Sequence, residues 1–318
     1  MRLSIRARRR CIGSGVVLLA LIALPFGSSI LCLNSGVAQE TAVTPPLAEV
    51  APTSGALQKL IDECEEGETI TLPAGEFRGP LLIAKSLSII GAGTDQTSIT
   101  APRTAPAVVT VAGEGPIVVV IENVQIRGTE DDETGDDSTG RDVCHGLIAT
   151  GQGHLALHAV LIQGTSGHGV FLDGGWNGRV ENSTVQGNRE GGIVLERSTS
   201  ATIIGNLISG NGEDGIRIEH TGSALIEGNR ILGNDEHGVL VGDLARAVVE
   251  FNLIRDNHED GIHISGAARV ELLSNEIVDN SRYGVFSQSA ENLETCGGNL
   301  VEDNNKADYS PGAAAGCP

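Results

Sequence analysis

Three consecutive stretches decide the fold. Residues 192–214 read GIVLERSTSATIIGNLISGNGED, residues 215–237 read GIRIEHTGSALIEGNRILGNDEH, and residues 238–260 read GVLVGDLARAVVEFNLIRDNHED. Each begins with a glycine and an apolar residue, and each is 23 residues long. A fixed period of this length is typical of a repeat protein, in which every repeat is one structural unit. The same glycine leads seven units, at Gly146, Gly169, Gly192, Gly215, Gly238, Gly261 and Gly284.

Each unit contains three short segments in which apolar residues alternate with polar ones. Alternation with a period of two predicts strands, and the helical period is missing. Three strands in every repeat predict a single coil wound on itself, with each strand paired in parallel to its copy about 4.8 Å further along. Two columns of asparagine predict hydrogen-bonded ladders at the turns. Their members are Asn206, Asn229, Asn252 and Asn275, and then Asn188, Asn211, Asn234, Asn257 and Asn280.

The pattern continues upstream with one insertion. Ile121 and Ile126 match Leu157 and Ile162 at a separation of 36, which is the period plus 13 residues in the acidic loop near 130–142. Residues 56–65 predict a short amphipathic helix that caps the open end of the solenoid. We therefore predict an all-β, single-domain solenoid with 23-residue coils over residues 56–305, followed by a C-terminal tail at 306–318.

The N-terminus predicts export. Five arginines in residues 2–10 precede an apolar stretch, and small residues precede position 39, so residues 1–38 are interpreted as a signal peptide. An uncleaved membrane anchor is the alternative, although Pro25 and several glycines interrupt the stretch. Residues 39–55 predict a flexible linker. We expect a periplasmic or extracellular protein without stable membrane insertion after cleavage.

The charge limits the partners. The 318 residues carry 21 basic and 41 acidic side chains, a net charge of −20. Nucleic acids require basic surface, so they are excluded as partners. We expect a polysaccharide or a component of the cell envelope instead.

With its glycine-led units, its asparagine ladders and the entry segment TITLPAGEF at residues 69–77, the chain resembles the right-handed parallel β-helix, or pectin-lyase-like, superfamily, including NosD-like secreted proteins. The resemblance implies a site on an outward strand face. Mannuronan epimerases of this superfamily carry Asp-Pro-His-Asp, where this chain has only Asn257-His258-Glu259-Asp260. Polygalacturonases carry Gly-His-Gly, and Gly167-His168-Gly169 matches it, but their other catalytic motifs are missing. The resemblance therefore predicts the fold more specifically than the function.

Two columns near the leading glycines carry titratable residues. The first column places His237 between Asp214 and Asp260, and the adjoining strand adds Arg217 and His263. A histidine between carboxylates can act as a general acid or base near neutral pH, and an arginine can bind a sugar carboxylate. We predict a lyase, hydrolase or epimerase at these five residues. A non-catalytic scaffold for adhesion or for the envelope is the competing hypothesis.

The second column stacks four glutamates at the rise of one coil. Such a column should splay, raise its pKa values or bind a cation, and calcium suits carboxylate oxygens. Calcium is the one cofactor that the sequence suggests, against the simpler interpretation of a solvated turn. The four residues are Glu190, Glu213, Glu236 and Glu259.

Four cysteines remain after residue 38, and the period restricts their pairing. Cys144 and Cys296 lie six coils apart, roughly 29 Å, which is too far for a disulfide. We therefore predict a bond between Cys296 and Cys317 that closes the C-terminal end. The remaining pair is Cys64 with Cys144, which would tie the capping helix to the loop that precedes the regular coils.

Overall fold

The computed structural model describes residues 55–113, 115–129 and 143–317. Within these ranges the chain winds into a parallel β-solenoid of ten coils, each adding one strand to each of three faces. The predicted signal peptide, nearly all of the predicted linker and the acidic loop lie outside the described residues. No helix among the described residues is long and apolar enough to span a membrane.

The three faces are named in the order in which the chain visits them, and two long strands turn the corner from the third face into the first. The first face contains β1 (Thr69–Thr71), β4 (Leu87–Ile90), β7 (Ile117–Glu122), the second halves of β9 (His145–His158) and β11 (Val170–Glu181), β14 (Ser200–Ile204), β17 (Ser223–Glu227), β20 (Arg246–Glu250), β23 (Arg269–Leu273) and β26 (Leu293–Gly297). The second face contains β2 (Gly75–Arg78), β5 (Thr97–Pro102), β8 (Gln125–Thr129), β10 (Leu161–Gln163), β12 (Thr184–Gln186), β15 (Leu207–Ser209), β18 (Arg230–Leu232), β21 (Leu253–Arg255), β24 (Glu276–Val278) and β27 (Leu300–Glu302). The third face contains β3 (Leu81–Ile83), β6 (Ala107–Ala112), the first halves of β9 and β11, β13 (Ile193–Glu196), β16 (Ile216–Ile218), β19 (Val239–Val241), β22 (Ile262–Ile264), β25 (Tyr283–Ser287) and β28 (Ala307–Tyr309).

The strand register confirms the 23-residue period. Ile216 pairs with Val239 on the third face, one period further along the chain. The upstream alignment is also confirmed, because Ile121 pairs with Leu157 across the 36-residue separation. The alternating apolar residues point inward and form one continuous aliphatic core. Every outward residue of a coil therefore stands directly beside its counterpart in the next.

The leading glycines are required by close packing rather than by an unusual backbone. A Cβ atom on Gly215 would lie 2.7 Å from the carbonyl oxygen of Gly238 and 2.8 Å from Nδ2 of Asn234. Any side chain there would force two coils apart. The leading glycines are therefore spaced at the positions where successive coils make their closest contacts.

Both predicted asparagine ladders are present. Oδ1 of Asn229 accepts from the backbone N–H and from Nδ2 of Asn206, each at 2.9 Å. Nδ2 of Asn229 donates to the carbonyl oxygen of Ile203 at 2.8 Å and to Oδ1 of Asn252 at 3.0 Å. Each buried amide therefore satisfies backbone groups that the turn leaves unpaired.

Short helices cover both ends. Helix α1 (Ala56–Glu63) buries Leu57 and Ile61 against the first coil, as the sequence predicts. Helix α2 (Pro311–Gly316) packs on the last coil at the other end. The segment 306–318, predicted as a tail, contributes β28 and α2, so the solenoid continues past residue 305.

One disulfide prediction is confirmed and the other is wrong. Cys296 is bonded to Cys317, with Cα atoms 5.0 Å apart. Cys64 and Cys144 are not bonded to each other. Cys64 follows α1, which packs on β3, whereas Cys144 precedes β9, which lies two strands beyond β3 on that face. Two strand spacings are roughly 10 Å, beyond the reach of a disulfide.

Candidate functional site

The titratable residues singled out in the sequence meet along one edge of the third face. We call the residue before each leading glycine the turn column: His145, His168, Gly191, Asp214, His237, Asp260 and Tyr283. The residue two places after each leading glycine points outward and forms the outward column: Ile148, Phe171, Val194, Arg217, Leu240, His263 and Phe286. All five predicted catalytic residues belong to these two columns.

The turn column has a structural task that the sequence does not reveal. In five of its members a side-chain atom accepts the backbone N–H of the next coil. Nδ1 of His237 accepts from Asp260 at 3.1 Å, and Oδ1 of Asp214 accepts from His237 at 3.1 Å. The same bond is made by Nδ1 of His145, Nδ1 of His168 and Oδ1 of Asp260. Histidine and aspartate are interchangeable here because each places an acceptor at the same position along the side chain.

These bonds determine the tautomer of His237. Because Nδ1 accepts a hydrogen bond, the proton of the neutral ring lies on Nε2, 3.6 Å from a carboxylate oxygen of Glu259. Burial lowers the pKa of His237 below its ordinary value, and the neighbouring carboxylates offset this only in part. His237 is therefore a neutral donor toward the surface and is unsuited to the role of general base.

His263 has the opposite arrangement. Its Nδ1 lies 2.8 Å from Oδ2 of Asp260, and because an ionised carboxylate only accepts, Nδ1 is the donor. Nε2 is then the basic atom, and within the described part of the chain it has no protein hydrogen-bond partner. The side chain is one-fifth exposed at the outer surface. The ring is held between His237, with centroids 4.3 Å apart, and Phe286 at 4.6 Å.

Asp260 is the buried centre of this group. Its side chain is 0% exposed, and Oδ1 accepts the Tyr283 N–H at 3.0 Å. Burial alone would raise the pKa of Asp260, but the hydrogen bonds from His263 and Tyr283, with His237 and Arg282 nearby, bring it below its ordinary value. Asp260 therefore stays ionised and holds His263 in one tautomer.

The guanidinium of Arg217 forms two ion pairs within the protein. Its Nε donates to Asp214 and its Nη2 to Glu213, both at 2.7 Å. Burial opposes the charge of the guanidinium, but the two ion pairs outweigh burial and raise the pKa of Arg217. Arg217 thus orients Asp214, which in turn holds the backbone of His237. In this arrangement it is a positioning residue, because two of its nitrogens are bonded to protein carboxylates.

Three of the four glutamates of the predicted calcium column contact arginine or histidine side chains. Glu213 pairs with Arg217, Glu259 with Arg282 at 2.7 Å, and Glu190 lies 3.3 Å from Nε2 of His168. Among the described residues, no three of the four bring carboxylate oxygens within 4.8 Å of one another. Calcium at this column stays a prediction.

Two other groups have the spacing of metal ligands, namely His145 with His168 and Glu190, and His237 with Asp260 and His263. A histidine that binds a metal through Nε2 donates its Nδ1 proton to a second group. His145, His168 and His237 instead accept at Nδ1, so their Nε2 atoms carry protons and cannot ligate. The tautomers therefore argue against a metal at either group.

The aromatic side chains of this face are engaged with protein neighbours. Phe171 stacks on His168 and His145, Phe286 stacks on His263, and the ammonium group of Lys306 lies over the ring of Tyr283. Trp176 is 1% exposed and lies in the core. Contacts to a glycan on this face would therefore be made mainly by polar side chains.

Parallel coils on three faces, with a cluster of titratable side chains along one outward edge, define a β-helix. The model of the right-handed β-helix region matches residues 145–306, about half of the chain, so the protein belongs to the right-handed β-helix family. No curated protein matches the sequence.

Several solved structures share the fold at low sequence identity. The A-module of the mannuronan C-5 epimerase AlgE6 from Azotobacter vinelandii aligns with a TM-score of 0.61 and 16% identity, over 80% of this chain and 93% of that one. An alginate lyase from Paenibacillus sp. str. FPU-7 aligns with the same TM-score and 15% identity, over 83% of this chain and 98% of that one. At such identities the likeness shows the fold alone.

Proposed function

We propose that the protein binds a polysaccharide along its third face and performs acid–base chemistry on it, with His263 as the proton acceptor. The observation that carries the proposal is the 2.8 Å contact between Nδ1 of His263 and Oδ2 of Asp260. It leaves a basic nitrogen open on a ridge of outward side chains. A buried carboxylate that fixes the tautomer of a surface histidine is the arrangement by which hydrolytic triads prepare their base.

The remaining predicted residues take supporting roles. His237 supplies the Nε2 proton as a donor and stacks on the ring of His263. Asp214 and Arg217 hold His237 from the coil below. The base therefore lies one coil further along the solenoid than the residue favoured by the sequence pattern.

The family comparisons support a glycan as the partner. The epimerase and the alginate lyase are named for reactions on polysaccharides. The predicted signal peptide supports the same view, because it would place the protein outside the cytoplasm, in the periplasm or extracellular space, where such polymers occur. The chain does not reproduce the Asp-Pro-His-Asp motif of the epimerases. The histidine of its nearest segment, His258, is 63% exposed and pairs with Asp235, away from His263.

A non-catalytic scaffold is the second candidate. The observation that favours it is the turn column itself, where three histidines and two aspartates serve the stacking of coils. Their presence therefore does not require catalysis. A scaffold would bind partners along the third face without any dependence on the proton of His263.

Two substitutions separate these functions. The protein is incubated with neutral, acidic and amine-bearing polysaccharides, and new reducing ends and unsaturated products are measured. Asp260→Asn keeps the acceptor for Tyr283 but presents an amide N–H to Nδ1 of His263, which moves the ring proton to Nε2. We expect His263→Ala and Asp260→Asn each to lower turnover by about 100-fold or more.

His220→Asn is the control, because His220 is a more exposed histidine, at 55% against 20% for His263, that pairs with Glu196 instead of a buried aspartate. Turnover that survives both site variants contradicts His263 as the base. Glycan binding without turnover by the wild-type protein would favour the scaffold.

A further inference from the structure

We infer that the glycan bound on the third face carries amino groups and not carboxylates. The inference rests on the proposed function, since it asks which polymer the surface around His263 attracts. It also separates this protein from the two enzymes named for mannuronan and alginate that share its fold.

The first step is the charge of the face. Six columns surround the strands of the third face in the coils led by Gly146 to Gly284: the three residues before each leading glycine, and the residues two, four and five places after it. They contain eleven carboxylates and four arginines. The carboxylates are Asp173, Glu190, Glu196, Glu213, Asp214, Glu219, Asp235, Glu236, Asp243, Glu259 and Asp260, and the arginines are Arg189, Arg197, Arg217 and Arg282.

The second step is the state of the arginines. Arg217 is bound to Asp214 and Glu213, Arg282 to Glu259, and Arg197 lies 3.0 Å from Asp173. A substrate carboxylate that took the place of Asp214 on Nε of Arg217 would leave that aspartate, whose side chain is 0% exposed, without its ion pair. An unpaired buried carboxylate is strongly unfavourable. The face is therefore not organised to bind a polyanion.

The third step concerns two carboxylates with no cation of their own. Within the described residues, Glu219 and Glu236 have no side-chain hydrogen bond and no ion pair. Glu219 lies on the strand side of the face, next to Gly242: a Cβ atom added to that glycine would be 3.7 Å from Oε1 of Glu219. Glu236 lies on the turn side, directly before His237. Burial raises the pKa of both groups and nearby carboxylates add to this, while the charge of Arg217 offsets it in part. An ammonium group beside either carboxylate would stabilise its ionised form.

The charge also selects among the three reactions. Elimination and C5 epimerisation each remove a proton beside a sugar carboxylate, which an amine-bearing glycan lacks. Hydrolysis does not need that carboxylate. One water is consumed, its oxygen bonds to the anomeric carbon as the glycosidic C–O bond breaks, and both new ends carry a hydroxyl group. We therefore expect new reducing ends and no unsaturated product.

The test compares three oligosaccharides of equal length, made of glucosamine, N-acetylglucosamine and mannuronic acid, at low and high ionic strength. The glucosamine oligomer should bind about tenfold or more tightly than its acetylated form, and the difference should shrink with salt. The mannuronic acid oligomer should bind weakest. Replacing both unpaired carboxylates, by Glu219→Gln and Glu236→Gln, should remove most of the preference for glucosamine.

The matched control changes two carboxylates of the first face, by Glu227→Gln and Glu250→Gln, and should leave the preference intact. Equal binding of the three oligomers, a preference for mannuronic acid, or a preference that survives in the third-face variant would overturn the inference while leaving a glycan-binding function in place. Binding of none of them would contradict the proposed function as well.

Discussion

At the scale of single residues, His237 and His263 show how two stacked rings can differ in chemistry. Each has an aspartate nearby, but Nδ1 of His237 accepts a backbone proton, whereas Nδ1 of His263 donates to Asp260. Only the second arrangement leaves a basic nitrogen at the surface. The sequence pattern favours His237, because it lies between two aspartates in its column, and does not show which neighbour each Nδ1 meets.

His168 allows the neutral state of the histidines in the turn column to be tested by the pH dependence of stability. Burial, with the nearby His145 and Arg217, lowers the pKa of His168 to about 3 from 6.5. Between these values the unfolded chain binds a proton that the folded protein does not, so the free energy of unfolding falls as the pH falls. The dependence for one such group is about 1.4 kcal/mol per pH unit.

We expect His168→Asn to make this pH dependence shallower, because asparagine keeps an acceptor for the N–H of Gly191 but does not titrate. The measurement is urea unfolding at several pH values between about 4 and 7. His220→Asn, at an exposed histidine, is the comparison. An unchanged pH dependence in His168→Asn would show that His168 is not the neutral acceptor described here.

At the scale of elements, the strands are predictable and their corners are less so. Alternation and the 23-residue period predict the inward residues, the parallel pairing and both asparagine ladders. The period does not predict that β9 and β11 run through a corner as strands of 14 and 12 residues. In that region Gly151 and Gly174 have positive φ values, and a Cβ on Gly174 would lie 2.3 Å from the carbonyl oxygen of Gly151. Glycine permits a close turn at this corner, and neither the alternation of apolar residues nor the 23-residue period predicts it.

The asparagine ladder gives a prediction for the turns. Asn229→Ala would leave the N–H of Asn206, the carbonyl of Ile203 and Oδ1 of Asn252 each without one partner, in a place that is 1% exposed. We expect a loss of about 2–4 kcal/mol in the free energy of unfolding, since unsatisfied buried groups bear the desolvation cost. Denaturant unfolding measures it.

Gln186→Ala is the control, because Gln186 makes a single side-chain bond to Gln163 on a half-exposed strand. It should change stability by less than about 0.5 kcal/mol. If the two variants were equally destabilised, the ladder would contribute no more than an ordinary surface amide.

At the scale of the whole molecule, each coil contacts chiefly its two neighbours, so the ends need separate protection. The period correctly places Cys296 within reach of Cys317, because both lie at one end. It does not exclude a disulfide between Cys64 and Cys144, because the first coils are irregular and the distance between these cysteines cannot be counted in whole periods. Sequence reasoning therefore succeeds where the repeat is exact and fails where the cap and the insertion interrupt it.

The last prediction concerns that C-terminal end. The bond between Cys296 and Cys317 joins β26 to the end of α2 and closes a loop of 21 residues over the last coil. Cys296→Ser should destabilise this closure by roughly 3 kcal/mol in the loop-entropy estimate. Because stability in a solenoid is transmitted only from coil to coil, we expect amide hydrogen exchange to accelerate in β26, β27 and β28 and to remain unchanged in β14 to β17.

Cys64→Ser, whose thiol donates only to the carbonyl of Ile61 at the opposite end, is the control. Acceleration spread evenly over all coils in Cys296→Ser would mean that the solenoid opens as one unit and that the disulfide protects the whole molecule rather than its end.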